Sequence, residues 1–179
     1  MADELQGLGK WLHEISDLDP KPLAGTPTHW PFRLHAAYEI REILSGVGWL
    51  RPDRRAPFQS GVLALHEEKI ELLFVTLDKR VGYHAGITYH DYAISPVLFH
   101  WQSQNSAGQD TEGGKRYIES RDNGWKFQLF VRTNKQAPYR ALGNITYSSH
   151  NGDRPISIVW EIETPIPQTY FSQYSVLRA

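Results

Sequence analysis

The segment from Tyr89 to Asn105 sets rings directly against hydrogen-bonding heads: Tyr89, His90, Tyr92, His100 and Trp101 adjoin Gln102, Ser103, Gln104 and Asn105. Aromatic faces can stack on an unpaired or flipped base, contributing about 1–3 kcal/mol per base. Amide side chains can make paired hydrogen bonds to adenine, and hydroxyls serve other base edges. The segment therefore holds the parts of a base pocket or a groove-reading loop. A structural reading competes with it, in which Phe99 and Trp101 belong to the core, Tyr89 and Tyr92 cap a barrel, and the amides close a turn.

Two further groups could support catalysis. Asp53 followed by Glu68 and Lys69 fits the loose pattern of a metal-dependent nuclease, where two carboxylates hold Mg²⁺ and the lysine polarises the attacking water. The same residues read equally as an exposed turn, RPDRRAP, and a hairpin bend, HEEK. His84, His90 and His100, with Asp91, could ligate zinc or serve a histidine-dependent nuclease, but their spacing matches no closed site and a loop histidine is more often a packing residue. A phosphate-cradling glycine loop and a nucleophilic serine elbow are both missing, which disfavours nucleotide hydrolysis. No cofactor or metal is expected, and a non-catalytic role is favoured.

Charge is uneven along the chain. The net value is −1, which excludes coating nucleic acid by bulk charge. Between Gly113 and Arg154, however, eight cations stand against three acids. Lys126 and Arg132 alternate with Trp125, Phe127 and Val131, so one face of a strand can meet phosphates while the other packs, and Arg140 extends that face. Ordinary solubility explains such a stripe equally well. His150 and Arg154 sit in SHNGDRP, a hairpin tip that could probe a DNA groove or simply face solvent.

These residues need elements to carry them. Asp3 to Ser16 can form a helix with Leu5, Leu8, Leu12 and Ile15 on one face, and the proline-bearing DLDPKPLAGTPTHWP reads as an extended arm across the surface. Residues 1–30 are thus an appendage to a single α+β domain over 31–179. From Leu34, the spacing of Ala36, Ile40, Ile43, Leu44 and Val47 predicts a second helix. After Pro57 the period becomes that of strands. IELLFVTL, from Ile70, is apolar on both faces and suggests a central strand covered on two sides. Trp125 to Arg132 and Ile156 to Glu163 alternate as half-exposed strands, with Ile156, Ile158, Trp160 and Ile162 inward. Gly143 to Ser149 is a strand between them, Asn151-Gly152 supplies the positive φ of a tight turn, and a helical turn follows Pro167. Ser95-Pro96 splits the aromatic segment into two arms, and a long polar loop, Asn105 to Gly114, follows the second. The expected architecture is a strongly curved, mostly antiparallel sheet or partly open β-barrel behind one or two N-terminal helices.

With 179 residues and 40% hydrophobic content, the chain can bury one sizeable core. It has no cysteine, so disulfides and thiolate chemistry are excluded. Its acidic start is unlike a secretory signal, and no apolar run approaches a membrane span. A soluble, cytoplasmic protein without membrane partners is expected.

The runs EKIELLFVTLDK, YHDYAISPVLFHWQSQNS, KRYIES, WKFQLFVR and APYRALGNITYSSHNGDRPISIVWEIETPIP resemble a family of unknown function, across roughly Phe32 to the C-terminus. That family occurs at the C-terminal end of bacterial DEAD-like helicases, often with phospholipase-D-type nuclease domains. The resemblance implies a restriction or phage-defence setting and a module that handles DNA. The expectation is a DNA-recognition module that reads a modified or flipped base. Its alternatives are a Mg²⁺-dependent nuclease and a module docking a separate helicase or nuclease subunit.

Overall fold

The computed structural model describes residues 21–50, 58, 60–77 and 91–175. The expected helix over Asp3 to Ser16, and the residues Asp53, His84, Tyr89 and His90, lie outside the described residues.

In chain order the elements are β1 (Ala37–Tyr38), α1 (Ile40–Gly46), β2 (Val62–Leu65), β3 (Ile70–Thr76), β4 (Tyr92–Ser95), β5 (Leu98–Gln102), α2 (Glu112–Ile118), β6 (Lys126–Arg132), β7 (Tyr139–Asn151), β8 (Ser157–Ile162) and α3 (Gln168–Tyr174). Among the described residues the strands join in one eight-stranded sheet, ordered β2-β3-β6-β7-β8-β5-β4, with β1 paired to β7. β3 and β6 run parallel, Ile70 opposite Lys126 and Thr76 opposite Arg132, and the other pairs are antiparallel. The architecture is α+β with a mixed, mostly antiparallel sheet. It is not closed into a barrel: the path ends at β2 and β4, which do not pair with each other among the described residues.

Strand alternation assigns side chains to two cores. One face carries Leu73, Val75, Phe99, Trp101, Phe127, Leu129, Ile158 and Trp160, covered by Tyr117 of α2 and Tyr174 of α3. The other carries Ile70, Leu72, Phe74 and Phe130, covered by Ile43, Leu44 and Val47 of α1 and by Leu23, Trp30 and Phe32. β3 is therefore buried on both sides, as its continuous apolar run requires. The arm is more than a surface strap, because Leu23 and Trp30 contribute to the second core at 3% and 6% exposure.

Three expectations about elements need correction. The helix expected from Leu34 spans only Ile40–Gly46. Upstream, His35 N–H donates to the Ala141 carbonyl (2.7 Å) and Ala141 N–H to that of Ala36 (3.0 Å), so pairing with β7 overrides the local helical spacing. The strand at Lys126–Arg132 is not half-exposed: Gln128, on the face expected to be outward, is fully buried and donates from Nε2 to the Ala24 carbonyl at 2.9 Å. The layer formed by Leu23 and α1 explains this, and strand periodicity alone could not reveal it. Finally, the polar loop ends early in a helix, α2, whose N-cap Thr111 accepts from Gly114 N–H at 3.0 Å. Gly114 is required there, since a Cβ would lie 1.9 Å from the Gly108 carbonyl oxygen.

Other expectations hold. Leu65 pairs with Ile70 across the HEEK bend. β4 and β5 form a hairpin broken at Pro96, and α3 follows Pro167. Ile156, Ile158, Trp160 and Ile162 all point into the core. The β7–β8 connection is as expected only in part: Gly152 takes a positive φ (74°), but Asn151 stays in β7, paired with Ser157, and the second positive angle falls at Arg154 (φ 55°).

Candidate functional site

The β4–β5 hairpin turns most of its aromatic mass inward. Trp101 is 4% exposed and packs edge-on against Tyr117, with ring centroids 5.2 Å apart, and Phe99 is fully buried. For these two residues the structural reading is correct, and Trp101 offers no face to a base in this arrangement. Tyr92 and His100 lie on the opposite face, half-buried and stacked on one another at 5.0 Å.

The side chains of Gln102, Ser103 and Gln104 bond within the fold. Gln102 Nε2 donates to Ser157 Oγ (3.0 Å), and Gln102 N–H donates to Asp91 Oδ1 (2.9 Å). Buried Ser103 donates to the Ala107 carbonyl (3.0 Å) and accepts from Ile156 N–H (2.9 Å). Gln104 Nε2 reaches Ser60 Oγ at 3.1 Å, and Asn105 is exposed in the next turn. Asp91 and His100 belong to no group able to hold a metal among the described residues. Glu68 and Lys69 are exposed on the β2–β3 turn.

The cations divide by type. All five arginines of the basic stretch bind protein groups. Arg116 pairs with Glu71 (2.7 Å), Arg121 donates twice to the Tyr147 carbonyl (2.9 and 3.1 Å), and Arg132 donates to Thr76 Oγ1 (2.8 Å). Arg140 donates to the His35 carbonyl and lies 3.8 Å over the Tyr170 ring, and Arg154 pairs with Asp110. The lysines, Lys115, Lys126 and Lys135, are exposed. Lys126 and Arg132 stand at opposite ends of β6, and Arg140 packs against α3 on the other face of the sheet, so these three do not converge with the hairpin rings. His150 is exposed, its Nδ1 bonded to the Tyr147 hydroxyl at 2.7 Å.

A different place assembles cationic, polar and aromatic groups. The β6–β7 ladder starts at Phe127 opposite Ile145, and β7 continues beyond it to Asn151 with β8 as partner. The residues at this step line a cleft of about 280 Å³ that includes Arg121, Lys126, Asn144, Thr146 and Glu163, with Trp125 and Tyr147 among its walls. Gly25 of the arm lies at its rim, where a Cβ would sit 3.3 Å from Lys126 Cδ. Asn144 Nδ2 donates to Glu163 Oε2 (2.9 Å), and Glu163 N–H donates to the Asn144 carbonyl (3.1 Å). Ser120 Oγ, also in the lining, is buried without a hydrogen-bond partner among the described residues. Of this set the sequence analysis singled out Lys126 alone as a binding residue. The alternation of Asn144 and Thr146 along β7 is a signal that could have marked the polar face, whereas nothing local pairs Asn144 with Glu163.

A second polar cluster lies beneath α2 and is structural. Glu71, 1% exposed, accepts from Arg116 and, at 2.7 Å, from the Tyr117 hydroxyl. Burial, then the Glu71 charge, raises the Tyr117 phenol above its ordinary value. Arg116 also lies 4.3 Å over the Trp125 ring, so the cluster fixes one wall of the cleft.

A comparison with curated proteins finds no match. The family model described as "Domain of unknown function (DUF3427)" matches residues 32–174, most of the chain, and the protein belongs to that family.

Proposed function

We propose that this chain is a non-catalytic DNA-recognition module of a restriction or phage-defence system, and that it meets nucleic acid at the β6–β7 cleft. One observation carries the reading: exposed Lys126 borders a cleft of about 280 Å³ that Arg121, Trp125 and Tyr147 also line. Lysine supplies phosphate attraction without sequence information, and a cleft of this size beside it can receive a flipped or modified base. The resemblance to a helicase-associated family supports a nucleic-acid setting. A curvature of the sheet toward the ligand, and a cytoplasmic location, belong to this proposal.

The test is fluorescence anisotropy of the purified protein with single-stranded, duplex and base-modified oligonucleotides across salt. Binding at low salt is expected, and Lys126→Ala should weaken it for all sequences and reduce the salt slope by about one. Absence of binding at low salt, or an unchanged slope in Lys126→Ala, overturns the reading. A second reading, a module that docks a separate helicase or nuclease subunit, draws on Ile94 and Val97, each 44% exposed at the β4–β5 tip. Co-purification of such a subunit in the absence of DNA affinity would favour it.

A further inference from the structure

A cleft that receives a polyanion has no electrostatic use for a carboxylate, yet Glu163 lines this one together with Lys126. Its position is also fixed. The backbone N–H of Glu163 is tied to the Asn144 carbonyl at 3.1 Å, and its Oε2 accepts from Asn144 Nδ2 at 2.9 Å. Asn144 is itself seated, its Oδ1 lying 3.5 Å from the buried Gln128 Nε2. A carboxylate held in this way retains Oε1 as an acceptor and can reward only a hydrogen-bond donor.

Resting on the DNA reading above, we propose that the Asn144–Glu163 pair reads the amino edge of an unpaired cytosine. Among pyrimidines, cytosine presents an amino group at position 4, whose natural partner is a Glu or Asp carboxylate, whereas thymine presents a carbonyl oxygen there. Thymine would set that oxygen against Glu163, leaving both acceptors without a proton. The volume, about 280 Å³, falls just below the ~300 Å³ at which small-molecule pockets begin, and suits one nucleotide rather than a base pair. Lys126 then holds the flanking phosphate and sets affinity, while Glu163 sets preference.

The experiment measures binding of the full chain to labelled oligo-dC and oligo-dT in the same salt. Oligo-dC should bind about 5- to 150-fold more tightly, the range a good base contact supplies. In Glu163→Gln, nearly isosteric at an exposed position, Asn144 Nδ2 keeps the amide oxygen and the amide NH₂ faces the base, so oligo-dC affinity should fall, oligo-dT affinity should rise and the ratio should drop to one or below. A probe that needs no protein variant is an oligonucleotide of N4,N4-dimethylcytosine, which lacks both amino hydrogens and should bind as weakly as oligo-dT. A wild-type ratio near one, or a preference that survives in Glu163→Gln or with the dimethylated base, overturns the cytosine inference. In that case salt-dependent binding that Lys126→Ala weakens would leave the DNA reading standing, and binding to neither strand would remove both.

Discussion

The β4–β5 hairpin and the β6–β7 cleft are built from similar residue types and put them to opposite uses. In the hairpin, Phe99 and Trp101 are sealed in the core and the amides from Gln102 to Gln104 close bonds within the fold. In the cleft, Trp125 and Tyr147 stand half-buried beside lysine, amide and carboxylate heads at the step where the β6–β7 ladder begins. What separates the two is the number of neighbours each strand has. β5 pairs on both sides, with β4 and β8, under a covering helical layer, so its inward rings are swallowed. Past Ile145, β7 has lost β6, and its polar face reaches an opening. Density of rings and amides in a sequence therefore does not predict an open aromatic and polar surface, which in this fold lies at the end of a ladder.

The difference can be broken by substitution. Trp101→Ala removes a buried ring that touches Tyr117 and Trp160, and should cost about 3–5 kcal/mol in urea unfolding. Oligonucleotide affinity per folded molecule should not change. A variant that stays stable but loses affinity would return the site to the hairpin. Glu71→Gln tests whether the wall of the cleft depends on its buried anchor. It leaves the Arg116 guanidinium, 11% exposed, without its closest charge and should cost about 1.5–3 kcal/mol of stability. Arg116 also covers Trp125, so its release should shift tryptophan emission, a shift that should vanish when Glu71→Gln is made in a Trp125→Phe background.

Much of the fold was legible, and the parts that were not share a physical cause. Strand alternation placed Ile156, Ile158, Trp160 and Ile162 correctly, and the apolar run from Ile70 marked β3 as a central strand. Periodicity fails where a second layer arrives from far along the chain. Gln128 appears outward until Leu23 and Ala24 cover it, and Leu34 to Tyr38 appears helical until β7 takes its hydrogen bonds. The site fails for the same reason, since Asn144 and Glu163 meet only through strand register, and nothing near either residue announces the other. Arginine was the weakest guide: Arg132 and Arg140 read as a phosphate stripe, yet each bonds to the fold and lies over a ring, Tyr139 and Tyr170 respectively.

The last of these contacts gives the smallest expected effect. His35, at φ 61°, sits beneath Arg140 and beside Tyr170, with Nε2 buried and unpartnered among the described residues. Burial first, and the Arg140 charge second, hold its imidazole below the ordinary value of 6.5. A group whose pKa is depressed on folding takes up its proton more readily when unfolded, so the stability it contributes is complete above pH 6.5 and is lost as pH falls through the folded value. Asparagine tolerates the left-handed backbone and does not titrate, so His35→Asn should fold and flatten the acid limb of the stability profile. Urea midpoints between neutral and mildly acidic pH measure this directly. The clasp joining His35, Arg140 and α3 lies away from the cleft, so Lys126-dependent binding should be the same in His35→Asn at neutral pH. If that binding changed, the clasp and the cleft would have to be coupled through β7, and the division between structural arginine and ligand-facing lysine would not hold.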